Sequence, residues 1–241
     1  MPQTIGIVGG LSPESTVTYY QFIIRQHFKF YGDLYYPRIV IASVRYQHYA
    51  DWHRSGQWDV IAKNLESEFT ALAKAGADFA LIACNTVHKA LPLVKSPIPI
   101  LNIIDVAVTQ AQDLAIKTLV LTGSKFTMTD EFFSQALQTQ GINVLVPNKA
   151  GKTEIDRIIC TELIKGITTP DSAKRFAQVV QATIEQQQPN QINDYGVLLA
   201  CTELGMLLPY LSSKIRFLDT ASLHATFAWK IATEQITAPW D

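Results

Sequence analysis

At 241 residues, 48% apolar and 17% charged, the chain is long enough for one large domain or two small ones, and its composition excludes disorder. A net charge of −1 with scattered Lys and Arg leaves no basic face, so no nucleic-acid partner and no membrane partner is expected. The apolar start, Ile5 to Val8, is too short for a signal-peptide core, no run approaches the ~20 residues of a membrane span, and three cysteines argue for free thiols; a cytoplasmic protein is expected.

Thr4-Ile5-Gly6-Ile7-Val8 reads as a strand closing on Gly9-Gly10. Ser12 and Pro13 then suit the N-cap and first position of a long helix. Arg45 to Trp58 is polar and aromatic-rich, long for a connector, and reads as a solvated loop or a substrate-covering lid. Val60 to Ala75 predicts a helix and Phe79 to Cys84 a strand, with a later apolar segment, Ile98 to Ile104, ending at Asp105. Thr118 to Thr122 is again a strand, Gly123-Ser124 a turn and Phe126 to Thr139 a helix. Asp171 to Gln188 predicts a helix, Gly196 to Cys201 a strand, and Ile215 to Leu218 an apolar segment ending at Asp219. A final helix is expected from Ala221 to Ile236.

Two copies of one pattern emerge. Phe79-Ala80-Leu81-Ile82-Ala83-Cys84-Asn85-Thr86 and Gly196-Val197-Leu198-Leu199-Ala200-Cys201-Thr202-Glu203 share Leu-(Ile/Leu)-Ala-Cys, and each has a proline eight residues past its cysteine, Pro92 and Pro209. Gly9 and Cys84 are 75 positions apart, Gly123 and Cys201 78. The expectation is an α/β fold of two similar lobes, each a parallel sheet flanked by helices, related by a pseudo-twofold axis with the active site between them. The first lobe is 1–106, joined by a C-terminal helix 220–241, and the second is 107–219.

Ligands of parallel sheets bind beyond the carboxyl ends of strands, where both cysteines and both glycine turns fall. If the strand ends face, Cys84 and Cys201 approach one ligand from opposite sides, as proton abstraction on one face and delivery on the other require. A thiol has a reference pKa of ~8.5 that a helix N-terminus lowers toward working pH, so one can be thiolate while the other is thiol. Asn85, Thr86, Thr202 and Glu203 follow the thiols, placed to hold a carboxylate and an ammonium.

These residues resemble the aspartate/glutamate racemase superfamily over nearly the whole chain. Gly9-Gly10-Leu11-Ser12-Pro13-Glu14-Ser15-Thr16 is similar to its glycine loop, Cys84-Asn85-Thr86-Val87-His88 to its first cysteine motif and Cys201-Thr202-Glu203-Leu204 to its second; Thr122 to Met128, Ile155 to Ile159 and Asp219-Thr220-Ala221 also look familial. The resemblance implies racemisation of an acidic amino acid, aspartate or glutamate, with Cys84 and Cys201 as the two acid/base groups, no cofactor and a homodimer. The implied substrate-binding residues are Leu11, Ser12, His53, Arg54, Asn85, Thr86, Lys165, Thr202 and Glu203. Cys-Thr-Glu is similar to aspartate racemases and broad-specificity relatives, where glutamate racemases tend to have Cys-Thr-His. His53-Arg54-Ser55-Gly56-Gln57-Trp58 is similar to a broad-specificity bacterial subgroup, with His53 where that subgroup tends to have Gln. The arginine that grips the distal carboxylate in many aspartate racemases does not align; Arg54 is the nearest candidate, with Arg45 behind it.

Other features read structurally. Cys160, in a helix-like stretch, has no repeat counterpart. Cys84 and His88 have an i, i+4 spacing that could bind zinc, but further matched ligands are missing, so no metal is expected; His88 caps or packs a helix. Lys165-Gly166 reads as a helix C-cap or a carboxylate partner. A dinucleotide glycine pattern is absent. Alternatives within the fold are a two-cysteine isomerase such as maleate isomerase, or a hydantoin racemase; a non-catalytic small-molecule binding protein is a third.

Overall fold

Strands and helices alternate along the chain in the order β1 (Ile5–Gly9), α1 (Pro13–Tyr31), β2 (Ile39–Ser43), α2 (Tyr46–Arg54), α3 (Trp58–Lys74), β3 (Phe79–Ile82), α4 (Ile103–Asp113), β4 (Thr118–Gly123), α5 (Glu131–Thr139), β5 (Asn143–Leu145), α6 (Lys149–Thr161), α7 (Pro170–Gln187), β6 (Tyr195–Ala200), β7 (Arg216–Asp219) and α8 (Thr220–Ala232). This computed structural model describes residues 2–187, 195–212 and 214–241. The chain divides into two units, Met1–Ile103 with Ala221–Asp241, and Ile104–Thr220.

In the first unit the sheet order is β2-β1-β3, all parallel, with Ile5 of β1 opposite Ile39 and Phe79. Every residue of β1 and β3 is buried, as a parallel strand covered on both faces requires. Helix α3 turns Ile61, Ala62, Leu65, Phe69 and Leu72 inward at helical spacing, onto Val8, Ala80 and Ile82. Each large side chain so buried contributes about 1.5–3 kcal/mol. Ser12 is the N-cap of α1, its hydroxyl accepting the Ser15 N–H, and Pro13 opens the helix as expected.

The second unit has the order β5-β4-β6-β7, again parallel. Ile155, Ile158 and Ile159 of α6 and Ala173, Phe176, Val180 and Ile184 of α7 close over Val120, Val197 and Leu199. The two parallel sheets flanked by helices are the α/β class expected. Among the described residues no helix is long and apolar enough to cross a membrane.

Several local expectations need correcting. Helix α5 starts at Glu131 rather than Phe126, because Ser124 to Asp130 form turns and extended Asp130 caps the helix, accepting the Phe132 N–H. The segment Arg45 to Trp58 is mostly helix α2 rather than an irregular loop. The apolar segment Ile98 to Ile104, to which the sequence assigns no element type, forms an isolated parallel bridge, Ala80 with Ile100, and then the start of α4 at Ile103; Pro97 and Pro99 lack the N–H groups a longer ladder needs. The final helix stops at Ala232, where Glu234 takes φ 56°, a conformation that ends a helix. Gln188, placed in a helix above, lies outside the described residues.

Candidate active site

Cys84 lies two residues past β3, in the first unit, and is half-buried. Three hydrogen bonds hold the backbone around it. Its N–H donates to Ile82 O at 2.8 Å, the preceding carbonyl of Ala83 accepts the Ser15 hydroxyl at 2.7 Å, and its own carbonyl accepts from His88 Nδ1 at 2.7 Å. Ser15 stands in the first turn of α1, so the glycine loop with Leu11 and Ser12 is tied to the cysteine turn. That loop is itself tight: Gly10 has φ 78°, and its N–H donates to Thr16 Oγ1 at 2.8 Å. Asn85 is buried, and Thr86 opens a 3-10 helix, Thr86–Leu93, with Pro92 inside it.

Of the α2 candidates, His53 packs edge-on against Trp58, ring centroids 5.4 Å apart, and Trp58 borders the same apolar cluster as Cys84. Lys89 Nζ lies 5.0 Å over the Trp58 ring. Arg54, 69% exposed, pairs with Asp51 on its own helix at 3.1 Å. Arg45 is exposed at the N-cap of α2. Tyr49 meets Trp52 edge to face, and its phenol is pushed up, first by burial, then by the Glu68 and Cys84 negative charges.

Cys201 directly follows β6 in the second unit and is also half-buried. Its thiol donates to Glu203 Oε2 at 3.1 Å, and the Thr202 hydroxyl donates to the same oxygen at 2.8 Å. Thr202 and Glu203 are buried, so the carboxylate is held where water competes little. A 3-10 helix, Leu204–Tyr210, follows with Pro209 inside it. In both units, then, the proline eight residues past the cysteine is the penultimate residue of a 3-10 helix, and the next residues, Val94 and Leu211, are extended. Lys165 is exposed, and Gly166 after it takes φ 73° as a C-cap. Cys160 has its thiol pushed up, first by burial, then by Asp156 and Glu203.

The fold gives four residues roles at these turns that residue pattern alone does not assign. Ser15 and His88 hold the Cys84 turn through partners distant in sequence or on the backbone, which residue pattern does not announce. Gly205 is there because a Cβ would sit 2.8 Å from an Asp219 carboxylate oxygen, and buried Asp219 packs under that 3-10 helix. The sequence hints were the position of Asp219 at a strand end and its place in the family-like segment Asp219-Thr220-Ala221. His88 also bears on metal binding: both its nitrogens already have protein partners, Cys84 O and the Ile103 N–H.

The sequence pattern of Asp/Glu/hydantoin racemases matches residues 8–228. The chain belongs to that family. It is 27% identical to the broad specificity amino-acid racemase RacX of Bacillus subtilis (strain 168), covering 90% of this chain and 93% of RacX. An aspartate racemase homologue from Pyrococcus horikoshii OT3 superposes with a TM-score of 0.82 at 28% identity, covering 96% and 99% of the two chains. The aspartate racemase of Picrophilus torridus shares the family fold, with a TM-score of 0.71 at 19% identity, covering 96% and 94%.

Proposed function

We propose that this family member racemises an acidic amino acid, aspartate or glutamate, without a cofactor, using Cys84 and Cys201 as paired acid and base. One observation carries the reading: each unit presents a half-buried cysteine just past the strand beside its first strand, ahead of a proline-containing 3-10 helix. Similarity to RacX supports amino-acid substrates, and similarity to the P. horikoshii homologue supports aspartate among them.

One hydrogen bond supports a division of roles within this reading. A carboxylate that accepts an S–H favours the protonated thiol, so Cys201 beside Glu203 is taken as the resting acid, which leaves the part of base to Cys84. Cys84 takes the α-proton from one face and becomes a thiol; Cys201 gives its proton to the other face and becomes a thiolate. Exchange with solvent restores the pair. Asn85 and Thr86 supply donors for the carboxylate that becomes enolate-like, while the Thr202 hydroxyl is given to Glu203 and holds that side chain; Leu11, Ser12, His53, Arg54 and Lys165 remain candidates for the rest of the substrate. The reading requires both sulfurs to reach one carbon, and it includes a homodimer in the cytoplasm.

The test is solvent-deuterium incorporation at Cα from L- and D-aspartate and L- and D-glutamate, in wild type, Cys84→Ser and Cys201→Ser. The expected result is loss of racemisation in both variants, with residual exchange from opposite enantiomers. Full racemisation by either variant overturns the reading, as does ligand binding with no exchange in wild type.

A further inference from the structure

Two buried histidines of the first unit have no part in the proton transfer above, yet their partners are fully specified. His88 Nδ1 lies 2.7 Å from the Cys84 carbonyl, and His88 Nε2 lies 3.2 Å from the Ile103 N–H. A carbonyl only accepts and a backbone N–H only donates, so Nδ1 carries the proton and Nε2 is bare. Geometry alone therefore makes His88 a neutral imidazole of one tautomer. His224 Nε2 lies 2.9 Å from Leu101 O and so carries a proton, while its Nδ1 lies 2.9 Å from the Tyr19 hydroxyl. The two rings meet edge to face, centroids 5.8 Å apart. Both residues are fully enclosed, 3% and 0% exposed.

The chain of donors has one direction at the cysteine. Ile103 N–H donates to His88, and His88 donates to Cys84. Ile103 is also the first residue of α4 and the last of its unit before the chain passes on, so the imidazole caps a helix N–H that would otherwise lack an intrahelical partner. His224 stands one turn into α8, shortly after the chain re-enters the unit, and grips Leu101 on the same connecting segment. Cys84 is thus linked, through His88 and its neighbour His224, to both stretches where the chain leaves and returns.

We propose that His88, backed by His224, is a positioning residue for Cys84. With the Ala83 carbonyl fixed by Ser15 and the Cys84 N–H by Ile82, the bond from His88 fixes the remaining peptide, so the Cα–Cβ direction of Cys84 is set and only the side-chain rotation is left. Proton transfer from carbon is sensitive to donor placement, and an error of 1 Å costs about a hundredfold in rate. This rests on the assignment of Cys84 as a base.

The experiment uses the full chain and His88→Ala, His88→Asn and His88→Gln. Asn places a donor where Nδ1 stands; Gln places an acceptor where Nε2 stands. In His88→Ala, kcat for aspartate and glutamate is expected to fall by about tenfold to a hundredfold with KM within about threefold. Iodoacetamide alkylation of Cys84, followed by mass spectrometry, is expected to change by threefold or more while that of Cys201 does not. His88→Asn should recover most of kcat and His88→Gln should not. Wild-type kcat and Cys84 alkylation in His88→Ala overturn the inference, as does equal activity of the Asn and Gln variants; if the Ala variant does not fold, the Asn and Gln contrast decides. Full activity of Cys84→Ser would instead overturn the two-thiol reading, leaving the alkylation measurement to report on the positioning of Cys84 by itself.

Discussion

The Cys201 thiol and the Thr202 hydroxyl share one oxygen of Glu203, at 3.1 and 2.8 Å. A buried carboxylate so placed opposes the thiolate form of Cys201. Replacing it by the neutral isostere in Glu203→Gln is expected to raise the rate of iodoacetamide alkylation of Cys201 at pH 7 by threefold or more. Racemisation should fall by about tenfold or more, because the acid loses its resting proton. An unchanged alkylation rate would show that the carboxylate does not hold the thiol.

Gly10 and Gly32 have nearly the same positive φ, 78° and 72°, but different surroundings. A Cβ on Gly10 would lie 2.3 Å from Val44 O, whereas nothing lies within 4 Å of one on Gly32. Gly32→Ala should therefore cost only the left-handed backbone, about 1–2 kcal/mol. Gly10→Ala adds the clash and should cost about 1–3 kcal/mol more, with loss of activity because the loop beside Ser12 must move. Urea unfolding of both variants checks the difference, and equal costs would refute the tight-loop account.

Burial lowers the His88 pKa to about 4, partly offset by its hydrogen bonds, and burial together with His88 lowers that of His224 to about 3. Unfolded histidine titrates near 6.5, so below that pH the unfolded chain binds protons that the folded chain does not. Stability is then full above about pH 6.5 and is lost as pH falls toward 4. Urea unfolding at pH 7.5 and 5.0 should show a loss of a few kcal/mol, reduced in His88→Asn. A flat profile over that range would mean that the pair does not stay neutral when folded.

Cys160 is the third thiol, on the exposed side of α6, with its acidity suppressed by partial burial and by Asp156 and Glu203. Cys160→Ser should racemise aspartate and glutamate within about twofold of wild type, and in the wild type the Cys160 thiol should react more slowly with iodoacetamide at pH 7 than that of Cys84. A large loss of activity would give Cys160 a part in the site.

Much of this molecule could be read from its residues. Strands β1, β3, β4 and β6 are continuous apolar runs closed by glycine or cysteine, the signature of strands covered on both faces, and Ser12-Pro13 announces its helix through local capping chemistry. The repeat of cysteine and proline pointed to both candidate turns because each is a short-range pattern. Strands β2 and β5 were not legible: β2 is half-exposed and β5 has three residues, and each exists because β1 or β4 offers it an edge. The hydroxyl of Ser15 on Ala83 and the imidazole of His88 between Cys84 and Ile103 were decided only in three dimensions. Buried polar groups must find partners wherever the fold brings them, and those partners need not be near in sequence.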